Sequence, residues 1–289
     1  MEMVLKFRNP KSKIQNRNVV QPIKLTSRGT FFGSHFIPLT PKQLFIEETW
    51  EHFLDGTLGA EMGPEELEAL ERALKKFKGL SDQKLENPYF WESWAPNWAE
   101  YSRRNLTRGL FLLNRLGKIE PRQKIISLGA GSCWQEVFLA QYFCPEGAVF
   151  GVDFSTHMIK QGTRLAQQRE IKNIHFMTGK VEHLPFSGKA GDMVISLNLL
   201  DLVPDIPKVL REIKRVLKSP PQGRYFFVFP LNPGDRLLRK AEIWQSLILQ
   251  SGLEAPAFFC LSGKNYKGTS LRLLGLTNTA PDTPSYPPP

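Results

Sequence analysis

From Lys124 onward, apolar runs alternate with stretches of helical period. KIISLGA (124–130) reads as a buried strand and WQEVFLAQYF (134–143) as a helix. AVFGVDF (148–154) is a second strand, STHMIKQGTRLAQQRE (155–170) a helix and NIHFMTG (173–179) a third strand. GDMVISLN (191–198) is a fourth. In DIPKVLREIKRVLKS (205–219), Ile206, Val209, Leu210, Ile213, Val216 and Leu217 share one helical face. GRYFFVFPL (223–231) is a fifth strand. Strands separated by helices of this length imply right-handed crossovers and a parallel sheet covered on both faces. A helix near 235–251 then precedes two strand-like runs, APAFFCLSG and TSLRLLGLT. Too few residues separate these runs for a parallel crossover, so they form an antiparallel hairpin.

Ahead of this core the pattern is helical. TPKQLFIEETWEHFLDG begins with Thr40 as a cap and Pro41 in the first turn, and ends at a glycine. GPEELEALERALKKFKG places acids first and lysines last, as the helix dipole favours. A third stretch, from about Pro96 to Leu116, carries Trp98, Tyr101, Leu106 and Leu110 near helical spacing. The chain therefore divides into an extension (1–40), a helical cap region (41–118), an α/β core (119–278) and a proline-rich tail (279–289).

Charge changes the picture at the N-terminus. Between Met3 and Ile46 there are eight Lys or Arg and no Asp or Glu, against a net charge of +10 for the whole chain. This segment fits a solvated, poorly ordered arm. An RNA-, membrane- or organelle-targeting role is the alternative, although the apolar core of a secretory signal is missing. No apolar run is long enough to cross a membrane. Cys133, Cys144 and Cys260 are scattered and odd in number, which argues against a disulfide framework or zinc site and for a reducing, cytoplasmic setting. An organelle is the alternative location if the arm is a transit peptide.

The candidate chemistry begins at IISLGAGSCWQE (125–136). Gly129 and Gly131 follow a strand and admit close backbone approach with positive φ. A dinucleotide fingerprint would continue to a third glycine or alanine, but Trp134 stands there instead. The five parallel strands closed by an antiparallel hairpin are the layout of another group. From about Phe90 to Thr277 the chain resembles class I S-adenosylmethionine-dependent methyltransferases, in particular the small-molecule branch of ubiquinone and menaquinone biosynthesis. The fold implied is a Rossmann-like, doubly wound α/β sheet of five parallel strands plus the hairpin.

The resemblance assigns roles residue by residue. The turn Gly129, Ala130, Gly131 lies against the amino-acid part of the cofactor, S-adenosyl-L-methionine. Ser127 stands where relatives carry an acid that orients the methionine ammonium, and Cys133 where they carry a further glycine. Ser127 accepts a hydrogen bond without supplying charge, so weaker binding or a compensating group is expected. Asp153, 22 residues after Gly131, sits where a carboxylate takes the ribose hydroxyls; helix-start electrostatics is the plainer reading. Phe154 and Met158 follow as cofactor contacts. GKVEHLPF (179–186) resembles D-A-E-x-L-P-F, with Val181 and Glu182 near the adenine and Lys180 replacing an aspartate. In DMVISLNLLDLVPD, Asn198 lies at the carboxyl edge of the sheet. Asp201 is the candidate catalytic residue, as a substrate anchor or weak base, or else a cap of the next helix. Tyr101 matches a tyrosine that approaches the cofactor carboxylate.

Together these imply an enzyme transferring a methyl group to a small, partly apolar acceptor. The alternatives are an RNA or protein methyltransferase, suggested by the basic arm, and a methyltransferase-like protein without activity, suggested by Ser127, Cys133 and Lys180. No N-P-P-Y/F-type motif for base amines follows the fourth strand, so nucleic acid has no support in the core. No metal is implied. The acceptor and the oligomeric state stay open.

Overall fold

Strands that alternate with helices along the chain assemble here around one sheet. A computed structural model describes residues 20–32, 34–55, 65, 72, 98, 109–230, 237–265 and 268–277. The strands are β1 (Gln21–Thr26), β2 (Gly29–Phe32), β3 (His35–Pro38), β4 (Lys124–Leu128), β5 (Ala148–Asp153), β6 (Ile174–Thr178), β7 (Met193–Leu197), β8 (Arg224–Pro230), β9 (Pro256–Asn265) and β10 (Gly268–Thr277). Their spatial order is β3-β2-β1-β9-β10-β8-β7-β4-β5-β6. The five strands from β8 to β6 are mutually parallel. β10 runs antiparallel to β8, and β9 antiparallel to β10. The parallel core and its closing hairpin are therefore as the sequence predicts.

Helices cover both faces. They are α1 (Pro41–Asp55), α2 (Trp134–Phe138, continuing as a π turn through Phe143), α3 (Thr156–Gln168), α4 (Ile206–Val216) and α5 (Leu237–Gln250), with a further helical segment at 109–116. Ile125, Val149 and Ile195 face Trp134, Val137 and Phe138 on one side of the sheet. Ile126 and Val194 face Val209, Ile213 and Trp244 on the other. Each buried Ile, Val or Phe contributes roughly 1.5–3 kcal/mol of transfer free energy. Local signals set the helix starts. The Thr40 hydroxyl accepts from the Gln43 N–H at 3.2 Å, while the Gln43 side chain accepts from the Thr40 N–H at 3.0 Å, a reciprocal capping box. Ser155 and Asp205 accept from the N–H groups of Met158 and Lys208 at the starts of α3 and α4.

The N-terminal expectation requires correction. A solvated arm does not describe residues 20–38, which add three strands to the sheet. β1 pairs in parallel with β9, matching Ile23 to Leu261, and buries Ile23, while Phe32 on β2 packs edge-on against Phe259 at 5.8 Å between ring centroids. Arg115 secures the addition. Its guanidinium pairs with Glu47 of α1 and donates to the carbonyls of Thr26 and Gly29, both at 3.0 Å. Residues 1–19, the predicted second helix apart from Glu65 and Arg72, most of the third, and the proline-rich tail lie outside the described residues.

Candidate active site

The carboxyl ends of β4, β5, β6 and β7 converge on a cleft of about 190 Å³. This is where open α/β sheets bind ligands, because the loops there diverge from the strand ends. The wall is formed by Gly129 and Gly131 after β4, Asp153 and Phe154 at the end of β5, and Gly179 through Glu182 after β6. Leu197, Asn198, Leu199, Leu202, Val203 and Pro204 complete it after β7, with Met158 from α3 and Trp98 from the cap region.

The turn after β4 depends on its glycines. Gly129 and Gly131 have φ of +66° and +54°, a region that costs other residues roughly 1–2 kcal/mol. A Cβ at Gly131 would lie 2.9 Å from the indole nitrogen of Trp98, and one at Gly129 2.9 Å from Leu199 Cδ2. The turn is pinned from below. Asp153 accepts from the Gly131 N–H at 2.8 Å with one oxygen and from the Ser155 N–H at 2.9 Å with the other. A carboxylate offers about four acceptor positions, so service to the turn does not preclude service to a ligand.

Cys133 also stands at positive φ, +63°, which explains why a glycine suits this position. Space for its side chain comes from α3, where a Cβ at Gly162 would collide with Cys133. Burial pushes its thiol well up, and the nearby Glu136 and Asp153 carboxylates push it further in the same direction. Trp134 opens α2 and packs into the core, away from the cleft. The two irregular residues of the turn are thus accommodated on its far side.

Of the residues singled out from sequence, Gly129, Gly131, Asp153, Phe154, Met158, Val181, Glu182 and Asn198 meet in this cleft. Asn198 adopts φ +62°, a conformation asparagine tolerates better than most side chains. Three others stand elsewhere. Ala130 is buried against Cys133 and Ile159. Ser127 is buried beneath the turn and donates to Glu136 Oε1 at 2.7 Å. Asp201 is not among the residues that line the cleft, whereas Leu199, Leu202 and Val203 are. It does not cap α4 either; Asp205 does. Tyr101 lies outside the described residues. Sequence reasoning passed over Gly179, Leu197, Leu199, Val203 and Pro204. Their only signal is position at the carboxyl ends of predicted strands or in the loop that follows.

The donor set fits an adenosyl cofactor better than a metal. Among the described residues no three His, Cys, Asp or Glu side chains cluster to hold a metal ion. The cleft instead combines a carboxylate at the end of β5, a backbone turn too tight for side chains, and flat or apolar flanks from Phe154, Met158 and Val181.

Residues 119–228 match a family model described as a methyltransferase domain. Over 104 residues the chain is 32% identical to a demethylmenaquinone methyltransferase of Listeria welshimeri, covering 36% of this chain and 44% of that one. It is 31% identical over 104 residues to an arsenite methyltransferase of Halobacterium salinarum, covering 36% and 26%. The chain thus spans less than half the length of these curated relatives. A SAM-dependent methyltransferase from Aquifex aeolicus superimposes with a TM-score of 0.50 at 15% identity, over 66% of this chain and 98% of that one. Residues 119–228 thus resemble a methyltransferase domain, and the chain shares the fold of the Aquifex aeolicus S-adenosylmethionine-dependent enzyme.

Proposed function

We propose that the protein transfers a methyl group from S-adenosylmethionine to a small acceptor with an apolar body. The observation that carries this reading is the glycine turn fastened to Asp153 in a cleft whose lining after β7 is apolar apart from Asn198. Asp153 accepts hydrogen bonds from the ribose hydroxyls, and Phe154, Met158 and Val181 flank the adenine. Gly129 and Gly131 let the backbone approach the amino-acid end. Leu197, Leu199, Leu202, Val203 and Pro204 hold the acceptor and exclude water.

The cofactor, when bound, supplies a methyl group already activated by its sulfonium. The chain's task is then to align the acceptor and keep the cleft dry. Positioning of this kind lowers a barrier by ~7–11 kcal/mol. A general base is required only where the acceptor holds its proton tightly. Demethylmenaquinone and arsenite, in the names of the two relatives, are both small-molecule acceptors, which supports a small molecule over RNA or protein. None of the helices among the described residues is long and apolar enough to cross a membrane, and a cytoplasmic location is part of this proposal.

The test is incubation of the full chain with methyl-labelled S-adenosylmethionine and a panel of quinols, phenols, thiols and arsenite. Label transfer to at least one of these acceptors, lost in Asp153→Ala, is the expected result. Transfer only to RNA or protein would overturn the acceptor class.

A further inference from the structure

A carboxylate no sequence motif pointed to lies beneath the glycine turn. Glu136 on α2 is 3% exposed. Its Oε1 accepts from the Ser127 hydroxyl at 2.7 Å, while its Oε2 is buried without a hydrogen-bond partner among the described residues. An ionised carboxylate is costly to bury in this way unless something compensates it. Burial accordingly pushes its pKa up to about 7, against the lowering effect of the Ser127 hydrogen bond. Glutamine or leucine would fill this place at lower cost, so the acid needs another reason to be there.

Its position supplies one. Ser127 pairs with Ile195 across β4 and β7. Two positions further along, the chain reaches Gly129 in the turn that follows β4 and Leu197 at the end of β7, and both line the cleft. Two strand residues span about 6.6 Å. Glu136 therefore lies one layer below the cleft floor, under the turn. Asp153 on the cleft wall acts on it electrostatically, raising its pKa, so the two sites share one field.

We propose that Glu136, anchored by Ser127, supplies from beneath the turn the negative charge that attracts the ammonium end of the cofactor. The charge absent from Ser127 is carried by the neighbouring helix. The ligand's cation compensates a carboxylate that the apoprotein holds at a cost. Glu136 is thus a binding residue for the amino-acid moiety, with no role toward the adenosine. This inference rests on the cofactor reading above.

The test is calorimetric titration of wild type and Glu136→Gln with two probes, S-adenosylhomocysteine and 5′-methylthioadenosine, the second lacking the amino-acid group. Thermal unfolding of each protein without ligand accompanies it. Expected for Glu136→Gln are a tenfold or greater loss of S-adenosylhomocysteine affinity, unchanged methylthioadenosine affinity, and apoprotein stability at pH 8 equal to or above wild type. The double variant Ser127→Asp/Glu136→Gln, which moves the charge to the strand, is expected to regain most of the lost affinity. It also keeps the test decisive should the single variant fail to fold. Unchanged S-adenosylhomocysteine affinity in a folded Glu136→Gln would overturn the proposal. So would an equal loss for both probes, which would mark Glu136 as a general support of the turn. Wild type binding neither probe would instead overturn the cofactor reading itself, and this inference with it.

Discussion

The carboxylate of Asp153 and the backbone N–H of Gly131 are joined by a hydrogen bond of 2.8 Å across the carboxyl ends of β5 and β4. One residue of the cleft therefore holds the shape of another. The sequence reading treats Asp153 as a ribose contact or a helix-start acid. In the structure it fastens the glycine turn and, through the Ser155 N–H, the start of α3.

This dual attachment alters what its removal does. Asp153→Ala leaves a buried N–H at Ser155 and a partly buried one at Gly131 unserved, which costs roughly 1–3 kcal/mol for each that water cannot reach. Asp153→Ala is expected to lower the unfolding midpoint and also to weaken cofactor affinity by ~2–4 kcal/mol through lost charge-assisted bonds. Calorimetry and thermal unfolding measure the two separately. Full stability with lost affinity would mean that the turn holds without this clamp.

Gly131→Val strikes the same turn from the other side. The new side chain meets Trp98 and must adopt φ near +54°. The expected outcome is undetectable cofactor binding, a more complete loss than Asp153→Ala gives. Retained micromolar binding of S-adenosylhomocysteine would place the ligand away from this turn.

Glu136 makes stability depend on pH. Its carboxyl titrates at about 7 in the fold, against 4.5 as its ordinary value. Below pH 4.5 both folded and unfolded forms are protonated, and the group contributes no difference. As pH rises from 4.5 through 7, the unfolded chain ionises first, so stability falls, and the loss levels off above 7. Its size is about 3 kcal/mol. Urea unfolding of the apoprotein between pH 5 and 8.5 is expected to show this decline, and Glu136→Gln to flatten it. Parallel curves for the two proteins would contradict the buried charge. The same geometry sets the outcome of placing an acid at position 127. Ser127→Asp alone sets two carboxylates within hydrogen-bond distance, so it is expected to destabilise the protein at neutral pH rather than tighten binding.

Arg115 and Glu47 form a pair whose side chains are 3% and 9% exposed. Breaking such a pair from one side costs about 3–5 kcal/mol, because the remaining charge stays buried. Glu47→Gln and Arg115→Leu are each expected to cause a loss of this order by urea unfolding. Deleting residues 1–38 removes β1 to β3 and the burial of Ile23 and Phe32, and it is expected to destabilise the core as well. A truncated protein as stable as the full chain would show that these strands contribute nothing to it.

The core was legible because each element carries its own period, and chain order leaves few ways to connect them. Gly129, Gly131, Asp153 and Asn198 were legible for the same reason, since strand ends place them together. β1 to β3 were not. Lys24, Arg28 and the prolines obscured the alternation of Ile23 with Leu25 and the Ser27-Arg28-Gly29 turn, and β1 is stabilised by pairing with β9, more than two hundred residues away. Glu136 was also hidden. Nine residues separate it from Ser127, and only the sharp entry into α2 turns it back under β4. The serine showed that an acid was missing, but nothing in the order of residues showed where the charge had gone.

The most direct test of the whole account is calorimetric titration of the purified full chain with S-adenosylhomocysteine, repeated on Asp153→Ala and Gly131→Val. The account predicts saturable binding at one site per chain, weakened by the first substitution and abolished by the second. Absence of binding to a folded wild-type protein, or binding unaffected by both substitutions, would contradict it.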